Sequence, residues 1–389
     1  MTCLLKNCCF AAPGLELETG ALFLDGDRIS AVIPAGDSLP EADEVHDADG
    51  CLVMPGFIDI HCHGRGGADF CDATPEAFDI IGRGKLAEGV TSFLATTLTV
   101  GIEQLETTLA AAADYMARPS GAKLLGVHLE GPFINPSCAG AQNPAFLRLP
   151  DISLVDRLND ICPVRKVSFS PELPGGVAFT QALVERGIMP SGAHSDADYA
   201  QFLEAREAGM KHLTHFCNVM TPLHHLRFGM VGGAFLSPNV SVEIIADGIH
   251  LCPEMIELIF TLKTADRVML VTDAMRAAAM PDGDYDLGGL PVKVVGGKAQ
   301  LENGAVAGST SQFHQAVRRV HRITGLPMQE LAKTTAWNQA RSLGFSDLGC
   351  LEVGAQADVV VLNTELVPTH VWVDGILQRK DAKLPPAIA

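Results

Sequence analysis

The sequence predicts an α/β protein: a (β/α)8 TIM-like barrel with a small β-sandwich domain formed by both termini. Three observations support this fold class. Apolar and helix-like segments alternate through the middle of the chain, strand–turn patterns occur at both ends, and ionisable side chains follow most of the apolar segments. We therefore assign residues 1–52 and 346–389 to the small β-domain and residues 53–345 to the barrel.

Both ends of the chain have the pattern of β-hairpins. Near the N-terminus, the apolar residues 21–24 and 28–33 flank an Asp-Gly-Asp turn at residues 25–27. Residues 357–362 and 370–375 show similar strand–turn patterns near the C-terminus. Chain termini commonly lie close together in a domain, so we expect both ends to build one small β-domain.

Apolar, β-branched runs divide the middle of the chain. Helix-like segments lie between them, for example at residues 74–87, 102–116, 197–208 and 253–263. A doubly wound open sheet is the alternative, but it usually carries a glycine-rich phosphate loop, and residues 64–67 lack that fingerprint. The repeated alternation favours the barrel. The eight predicted strands are residues 52–60, 90–97, 123–129, 165–170, 187–192, 211–214, 242–246 and 267–272.

The composition narrows the partners and the compartment. A formal charge of −18 disfavours nucleic acids and anionic membranes, and it requires a local positive site for any anionic substrate. No run reaches the roughly 18 apolar residues of a membrane span, and the first residues lack the features of a signal peptide. The 11 cysteines have no disulfide-like or zinc-finger spacing, so we expect a cytoplasmic protein.

Histidines and acids stand directly after six of the eight predicted strands. Catalytic groups of a barrel lie at the C-terminal ends of its strands, so these side chains should converge. His61 and His63 are two residues apart on an extended segment and therefore share a face. Imidazole and carboxylate ligands suit a divalent metal ion. The predicted metal ligands are Glu130, His194, His215, His61 and His63, with Asp273 as a candidate additional ligand.

These ligands allow one or two ions per subunit. Three protein ligands and water complete a catalytic site, and five ligands suffice for two ions with Glu130 as the bridge. Zinc is the first choice, with iron, manganese and cobalt as alternatives. Each residue alone has a simpler interpretation: a histidine after a strand is more often a satisfied polar group, and Asp273 alone would serve as a helix N-cap. Their coincidence at successive strand ends favours a metal centre.

Asp273 and His250 are the predicted catalytic residues. A carboxylate beside the metal can take a proton from water and return it to a leaving nitrogen, which is the role of Asp273. His250 follows the seventh strand and is placed to stabilise the oxygen of a tetrahedral intermediate. His128 is expected to support the site without binding the ion. Strand alternation should point Cys62 away from the metal.

Five stretches resemble the amidohydrolase superfamily and, within it, the N-acetylglucosamine-6-phosphate deacetylases. They include Leu-Glu-Gly-Pro after the third strand, His-x-x-Asn-x-Met after the sixth and Ala-Asp-Gly-x-His after the seventh. The resemblance implies hydrolysis of the acetamide of an N-acetylated amino-sugar 6-phosphate, which is a small molecule, and a homodimeric assembly. It spans nearly the whole chain, at residues 55–64, 128–133, 214–220, 245–250 and 271–275.

The resemblance also implies roles for individual residues. His61 and His63 match family members that bind a second ion. Asp273 would be the acid/base, and His250 and Asn218 would contact the sugar phosphate or the acetamide. The main ion would be held by Glu130, His194 and His215.

Three departures from the family pattern affect substrate contacts. This chain has Gln142 where relatives usually have histidine, and Val219 where they usually have alanine. It has Leu226 where they often have an arginine that grips phosphate, although Arg227 follows directly and could act from a shifted position. The predicted substrate-binding residues are Asn218, Val219, Arg227, His250, Gln142 and Ala141.

Because these departures affect substrate contacts and not the predicted metal ligands, the sequence defines the reaction better than it defines the substrate. The alternative substrates are N-acetylgalactosamine 6-phosphate, an unphosphorylated amino sugar and another N-acyl amine. A non-catalytic scaffold of the same fold is a further alternative, which the complete ligand set disfavours. Cys138, in the loop over the predicted site, is a candidate for metal perturbation or redox sensitivity.

Overall fold

The computed structural model describes residues 1–15 and 18–380. Residues 16–17 and the last nine residues of the predicted segment 346–389 lie outside the described part of the chain. The strands, in chain order, are β1 (Thr2–Phe10), β2 (Thr19–Asp25), β3 (Arg28–Pro34), β4 (Glu44–Asp47), β5 (Leu52–Pro55), β6 (Phe57–Asp59), β7 (Gly64–Arg65), β8 (Ala68–Asp69), β9 (Val90–Thr97), β10 (Lys123–Glu130), β11 (Val164–Phe169), β12 (Met189–Gly192), β13 (His212–Leu213), β14 (Ser241–Ile245), β15 (Val268–Val271), β16 (Gly283–Leu287), β17 (Leu290–Val295), β18 (Lys298–Leu301), β19 (Val359–Leu362), β20 (Pro368–Val373) and β21 (Ile376–Lys380). The α-helices are α1 (Pro75–Leu86), α2 (Ile102–Ala117), α3 (Ile152–Ile161), α4 (Gly176–Glu185), α5 (Tyr199–Glu207), α6 (Gly229–Phe235), α7 (Pro253–Lys263), α8 (Phe313–Thr324), α9 (Met328–Ala332) and α10 (Asn338–Ser342).

Eight parallel strands form the barrel, in the order β6, β9, β10, β11, β12, β13, β14 and β15. Backbone contacts beyond the strand ends connect the first strand with the last. The Asp273 N–H donates to the carbonyl of His61 at 2.9 Å, and Cys62 pairs with Ala274 in a parallel bridge. Strand β9 is buried along its whole length, as a parallel strand covered by helices should be. The predicted eight-stranded barrel is confirmed.

Helix α1 shows how local sequence builds the outer layer. The Thr74 side chain caps the helix by accepting a backbone N–H of the first turn, and Pro75 opens the helix where no N–H is needed. Phe78 on its buried face lies with its ring centroid 4.9 Å from Phe70 and 5.9 Å from Tyr115. The helices predicted at residues 74–87, 102–116, 197–208 and 253–263 are all present, as α1, α2, α5 and α7.

The first predicted strand, residues 52–60, is divided between two sheets. Strand β5 pairs with β1 and β19, whereas β6 pairs with β9 in the barrel. Gly56 separates the two strands, and a Cβ at this position would lie 2.3 Å from the Thr91 side chain. The prediction of a single strand is therefore wrong. An apolar run does not reveal where the chain passes from one sheet to another.

Strands from both ends of the chain form one sheet, in the order β21, β20, β19, β5, β1, β2 and β3, with β4 beside β1. The predicted N-terminal hairpin is present, with Asp25 of β2 opposite Arg28 of β3. Trp372 of β20 shares one buried apolar cluster with Cys3 and Leu5 of β1. The two ends of the chain therefore contribute to a common core.

A three-stranded antiparallel sheet, β16–β18, follows the last barrel strand and was not predicted. Burial alternates along β17, so one face of this sheet is covered and the other faces solvent. The chain leaves the barrel at the C-terminal end of β15 and enters the inserted sheet at Gly283. Among the helices in the described part of the chain, none is both long and apolar enough to cross a membrane.

Candidate metal centre and active site

The predicted ligands converge at the C-terminal end of the barrel. Three of them follow their strands in the left-handed backbone region, with φ of +47° at His194, +31° at His215 and +47° at Asp273. This conformation is costly for residues other than glycine and concentrates at functional sites. Each turn redirects the side chain immediately after the strand ends, so the strained turns aim the three side chains into the barrel mouth.

Glu130, His194 and His215 form the first group of donors. The Oε1 atom of Glu130 lies 3.3 Å from Nε2 of His194 and 3.0 Å from Nε2 of His215, and the two Nε2 atoms are 3.1 Å apart. All three residues are buried. Three donor atoms facing one small volume is the arrangement that a metal ion requires.

His61, His63 and Asp273 form the second group. Oδ1 of Asp273 lies 3.2 Å from Nε2 of His61 and 3.3 Å from Nε2 of His63. Glu130 joins the two groups, because its Oε2 atom lies 3.0 Å from Nε2 of His63 and its Oε1 atom faces the first group. The carboxylate of Glu130 thus lies between the two groups of donors.

The pKa shifts of the buried donors show whether the centre can accept a cation. Burial opposes the charge on Glu130, but the charge of His61 and the hydrogen bonds of His194 and His215 hold its pKa well below the usual range. Burial lowers the pKa of His63, but its carboxylate partners outweigh burial and raise it to about 9. In the described part of the chain, the buried Nε2 of His61 lies near the carboxylates of Asp273 and Glu130 but makes no well-formed hydrogen bond. Ionised carboxylates and imidazoles aimed at one point suit a divalent cation that displaces protons.

Contacts behind the ligands fix the imidazole rings. The Nδ1 atom of His61 lies 3.3 Å from Oε2 of Glu243, and Glu243 forms an ion pair with Lys166. Nδ1 of His194 lies 2.9 Å from the carbonyl oxygen of Cys138. A metal-binding histidine usually donates the N–H of its second ring nitrogen to such an oxygen, and this hydrogen bond holds the ring in place.

The sequence analysis missed Glu243 and Lys166. Both are fully buried; Glu243 interrupts the apolar run of β14, and Lys166 lies next to Arg165 in β11. A charged residue within an apolar run was the available signal, because an unpaired buried charge is very costly. That signal does not name the partner, since 77 residues separate the two.

His128 and Cys62 lie where the sequence analysis placed them. His128 contacts the hydroxyl oxygens of Thr96 at 3.1 Å and Ser168 at 2.6 Å, and its ring packs edge-on against His61 at 4.7 Å. It thus supports the centre and belongs to neither donor group. The Cys62 sulfur is buried and contacts the Gly64 carbonyl at 3.7 Å, away from the donors.

A cavity of about 300 Å³ lies over the donors. The predicted substrate-binding residues Ala141, Gln142, Asn218, Val219 and His250 line it. Its lining also includes Leu287 of the unpredicted sheet β16–β18, and Ala305, Val306 and Gly308 of the segment that follows this sheet. A larger hollow of about 480 Å³ lies at the N-terminal ends of the strands, around Lys211 and Arg267, and contains none of the predicted site residues.

Gln142 contacts the buried donor Glu130 directly. Its Nε2 donates to Oε2 of Glu130 at 2.6 Å, and its Oε1 accepts the Thr99 N–H at 2.8 Å. The side chain is therefore held in place before any substrate arrives. Asn218 donates to the carbonyls of His215 and Phe216 at 3.1 and 3.3 Å.

His250 is oriented by Asp247, whose Oδ2 lies 2.7 Å from Nδ1 of the imidazole. Burial lowers the pKa of His250, but the hydrogen bond and charge of Asp247 outweigh burial and raise it above its usual value. His250 therefore favours the protonated form that an oxyanion partner needs. Arg227 is exposed and is not among the residues that line the cavity of its own chain.

Comparison with known proteins agrees with this arrangement. The fold and the buried donors are those of a metal-dependent hydrolase, and the chain belongs to the amidohydrolase family, whose model matches residues 52–377. The chain is 38% identical to the N-acetylglucosamine-6-phosphate deacetylase of Lysinibacillus sphaericus over 321 residues, which cover 82% of this chain and 83% of the relative.

Two further relatives bear on the substrate. The N-acetylgalactosamine-6-phosphate deacetylase of Escherichia coli O157:H7 is 35% identical, with 89% of this chain and 92% of the relative covered. A mutant N-acetyl-D-glucosamine-6-phosphate deacetylase from Mycobacterium smegmatis, solved in complex with N-acetyl-D-glucosamine-6-phosphate, superposes with a TM-score of 0.90. It is 32% identical, and the match covers 98% of this chain and 99% of that one.

Proposed function

We propose that the protein hydrolyses the acetamide of N-acetylglucosamine 6-phosphate to glucosamine 6-phosphate and acetate. The observation that carries the proposal is the group of six buried donors around Glu130, which lies under a cavity of about 300 Å³. The similarity to deacetylases over most of the chain supports the same reaction. A non-catalytic scaffold would have no reason to keep six costly buried polar groups in one place.

The metal requirement follows from the donor set. Glu130, His194 and His215 would hold the main ion, and His61, His63 and Asp273 a second. An ion there would polarise the acetamide carbonyl as a Lewis acid and would lower the pKa of water. Zinc fits nitrogen and oxygen donors best, and iron, manganese and cobalt accept the same ligands.

Asp273 provides the proton transfers. Burial opposes its ionisation, but the charges of His61 and His63 hold its pKa well below the usual range, so the group begins as a base. It takes a proton from the attacking water as the new C–O bond forms. It then gives that proton to the nitrogen as the C–N bond breaks, and the amine and acetate leave. The protonated His250 donates to the oxygen that becomes negative in between.

The substrate is tested by acetate release from protein that has been depleted of metal and reloaded with zinc. We expect N-acetylglucosamine 6-phosphate to be strongly preferred over N-acetylglucosamine. N-acetylgalactosamine 6-phosphate should be assayed alongside these two sugars because one relative is named an N-acetylgalactosamine-6-phosphate deacetylase. Equal rates for phosphorylated and unphosphorylated sugars would contradict the proposed substrate, and other N-acyl amines would then be the candidates.

We also propose that the active unit is a homodimer and that Arg227 grips the phosphate bound by the partner subunit. Arg227 is exposed and away from its own cavity, on a loop where Leu226 is 79% exposed and Leu223 is 47% exposed. Such apolar exposure beside a cation suits a subunit contact. A net charge of −18 makes a local cation necessary for a phosphate ester.

Complementation tests this arrangement. We expect Arg227→Ala and Asp273→Asn proteins each to be nearly inactive, and their mixed dimer to regain activity, since one of its two sites then has both groups intact. Arg83→Ala, at an exposed helical position, is the matched control and should leave activity unchanged. If the two variants exchange subunits and the mixture stays inactive, Arg227 does not act in the site of the partner subunit.

We further propose the domain division 1–52, 53–345 and 346–389, with the terminal strands packed as a sandwich, and a cytoplasmic location. The shared core of Trp372, Cys3 and Leu5 supports the sandwich. All 11 cysteines are free, which supports a reducing compartment.

A further inference from the structure

A second group of metal-type donors lies on the terminal sheet, outside the barrel. Cys3 of β1 and Glu44 of β4 are directly opposite each other in a parallel pair, and His46 of β4 is opposite Leu5. Glu44 and His46 are two residues apart in a strand and therefore project from the same face. One donor atom from each of Cys3, Glu44 and His46 lies within 4.8 Å of the other two.

The surroundings of these donors differ from those of an ordinary apolar core. Cys3 is buried, and His46 has a ring centroid 5.5 Å from the indole of Trp372 on β20. The Trp372 side chain is 1% exposed, and its Nε1 atom has no hydrogen-bond partner in the described part of the chain. This N–H faces Cys3. A buried N–H that faces a sulfur can donate a hydrogen bond to that sulfur when it is bound to a metal ion.

The group is also accessible. A hollow of about 430 Å³, lined by Met1, Glu44, Val45, His46 and Ile376 among others, opens beside it. Glu44 is 44% exposed, and its Oε2 atom lies 3.4 Å from Nε2 of His46. An ion can therefore enter from solvent, and water can provide a fourth ligand.

We propose that Cys3, Glu44 and His46 form a binding site for a zinc-like divalent ion, separate from the catalytic centre. A thiolate, an imidazole and a carboxylate are a typical ligand set for zinc, and the sulfur selects against magnesium and calcium. Burial and the Glu44 charge raise the pKa of the Cys3 thiol to about 11, so ion binding releases a proton.

Such an ion would fasten the short strand β4 to β1. Strand β4 has four residues and follows an exposed segment from residue 34 to residue 42. The three donors come together only when β4 is paired with β1, so the ion binds the folded sheet and not the unfolded chain. The ion would therefore stabilise the terminal sheet and leave the chemistry of the barrel unaffected.

Cobalt distinguishes this site from the catalytic centre. Among the donor groups in the described part of the chain, the terminal group alone contains a cysteine, so we expect a sulfur-to-cobalt charge-transfer band in the near ultraviolet from that site and not from the nitrogen and oxygen donors of the catalytic centre. Metal-depleted wild-type protein loaded with Co²⁺ should show this band. The band should disappear in Cys3→Ser and in His46→Ala, and zinc affinity at this site should fall by about 100-fold or more.

Two controls keep the test decisive. Cys8→Ser changes another buried cysteine of the same strand and should keep the band. The double variant His61→Ala/His63→Ala disrupts the catalytic centre and should also keep it. Deacetylase activity at saturating zinc should be the same in wild type and His46→Ala.

Fluorescence gives a second readout if Cys3→Ser fails to fold. In a Trp337→Phe background, Trp372 is the remaining tryptophan of the chain, and Co²⁺ should quench it in the parent but not after His46→Ala. Absence of the band in wild type would overturn the proposal. So would a band that survives His46→Ala, or one that is lost in Cys8→Ser.

Discussion

Replacing Glu243 by glutamine tests the support behind the metal ligands. Glu243 is fully buried in the barrel, where it pairs with Lys166 and lies 3.3 Å from Nδ1 of His61. Burial alone would raise its pKa, but the Lys166 charge and the His61 hydrogen bond lower it from 4.5 to about 2. At about 1.4 kcal/mol per pKa unit, this shift corresponds to about 3 kcal/mol of stability.

Glu243→Gln leaves the Lys166 charge buried without a partner. Removing one member of a buried ion pair costs about 3–5 kcal/mol, which agrees with the value from the pKa shift. Lys166→Met/Glu243→Gln removes both charges, so we expect the double variant to be more stable than Glu243→Gln. Urea unfolding of metal-depleted protein measures both differences, because metal binding then makes no contribution.

The same change should weaken metal binding on one side of the centre. His61 loses the carboxylate that holds its ring, and such losses typically reduce affinity by 10- to 100-fold. We expect this reduction for the ion at His61 and His63, and little change for the ion at His194. Chelator competition separates the two affinities.

The pH dependence has a definite sign. The pKa of Glu243 is lower in the folded than in the unfolded protein, so its contribution is complete above pH 4.5 and disappears as the pH falls towards 2. The stability difference between wild type and Glu243→Gln should shrink over that range. A difference below about 1 kcal/mol at pH 7, together with unchanged metal affinity, would refute the assigned role.

Three further predictions concern chemistry and packing. Asp273→Asn should lower kcat by about 10²- to 10⁴-fold because the proton carrier is lost, and a loss of less than tenfold in stopped acetate assays would contradict its role. Asp247→Asn should shift the alkaline limb of the kcat/KM profile to lower pH, since burial then lowers the pKa of His250, whereas an unchanged profile would show that His250 does not act as a cation. Phe78→Ala should destabilise the protein by about 3–5 kcal/mol in urea unfolding, because a buried ring between Phe70 and Tyr115 is removed. A loss below about 1 kcal/mol would mean that neighbouring side chains fill the cavity and that the packing of this ring contributes little.

The barrel and its donors could be predicted because both follow local rules. Alternation of strands and helices gives the fold class, and the residue after each strand reaches the same end of a barrel. Glu130, His194 and His215 could therefore be placed together although up to 85 residues separate them. Their roles in binding an ion remain a proposal.

Features that depend on contacts between distant segments could not be predicted. The pairing of Glu243 with Lys166 crosses the barrel, and no local pattern encodes it. The break at Gly56 depends on the close approach of Thr91. Leu287 of the inserted sheet and Val306 just after it reach the cavity, and the position of both follows from tertiary packing. The contact of Gln142 with Glu130 likewise emerges only from the folded loop.

Acetate release from N-acetylglucosamine 6-phosphate by metal-depleted and zinc-reloaded protein tests the central claim most directly. The account predicts no release without metal, restoration on reloading with zinc, and loss of that restoration in Asp273→Asn. Carrying out the reaction in ¹⁸O-water should place one labelled oxygen in the acetate, as hydrolysis requires. Equal rates with and without metal, or no release from any phosphorylated amino sugar by the reloaded wild type, would contradict the account.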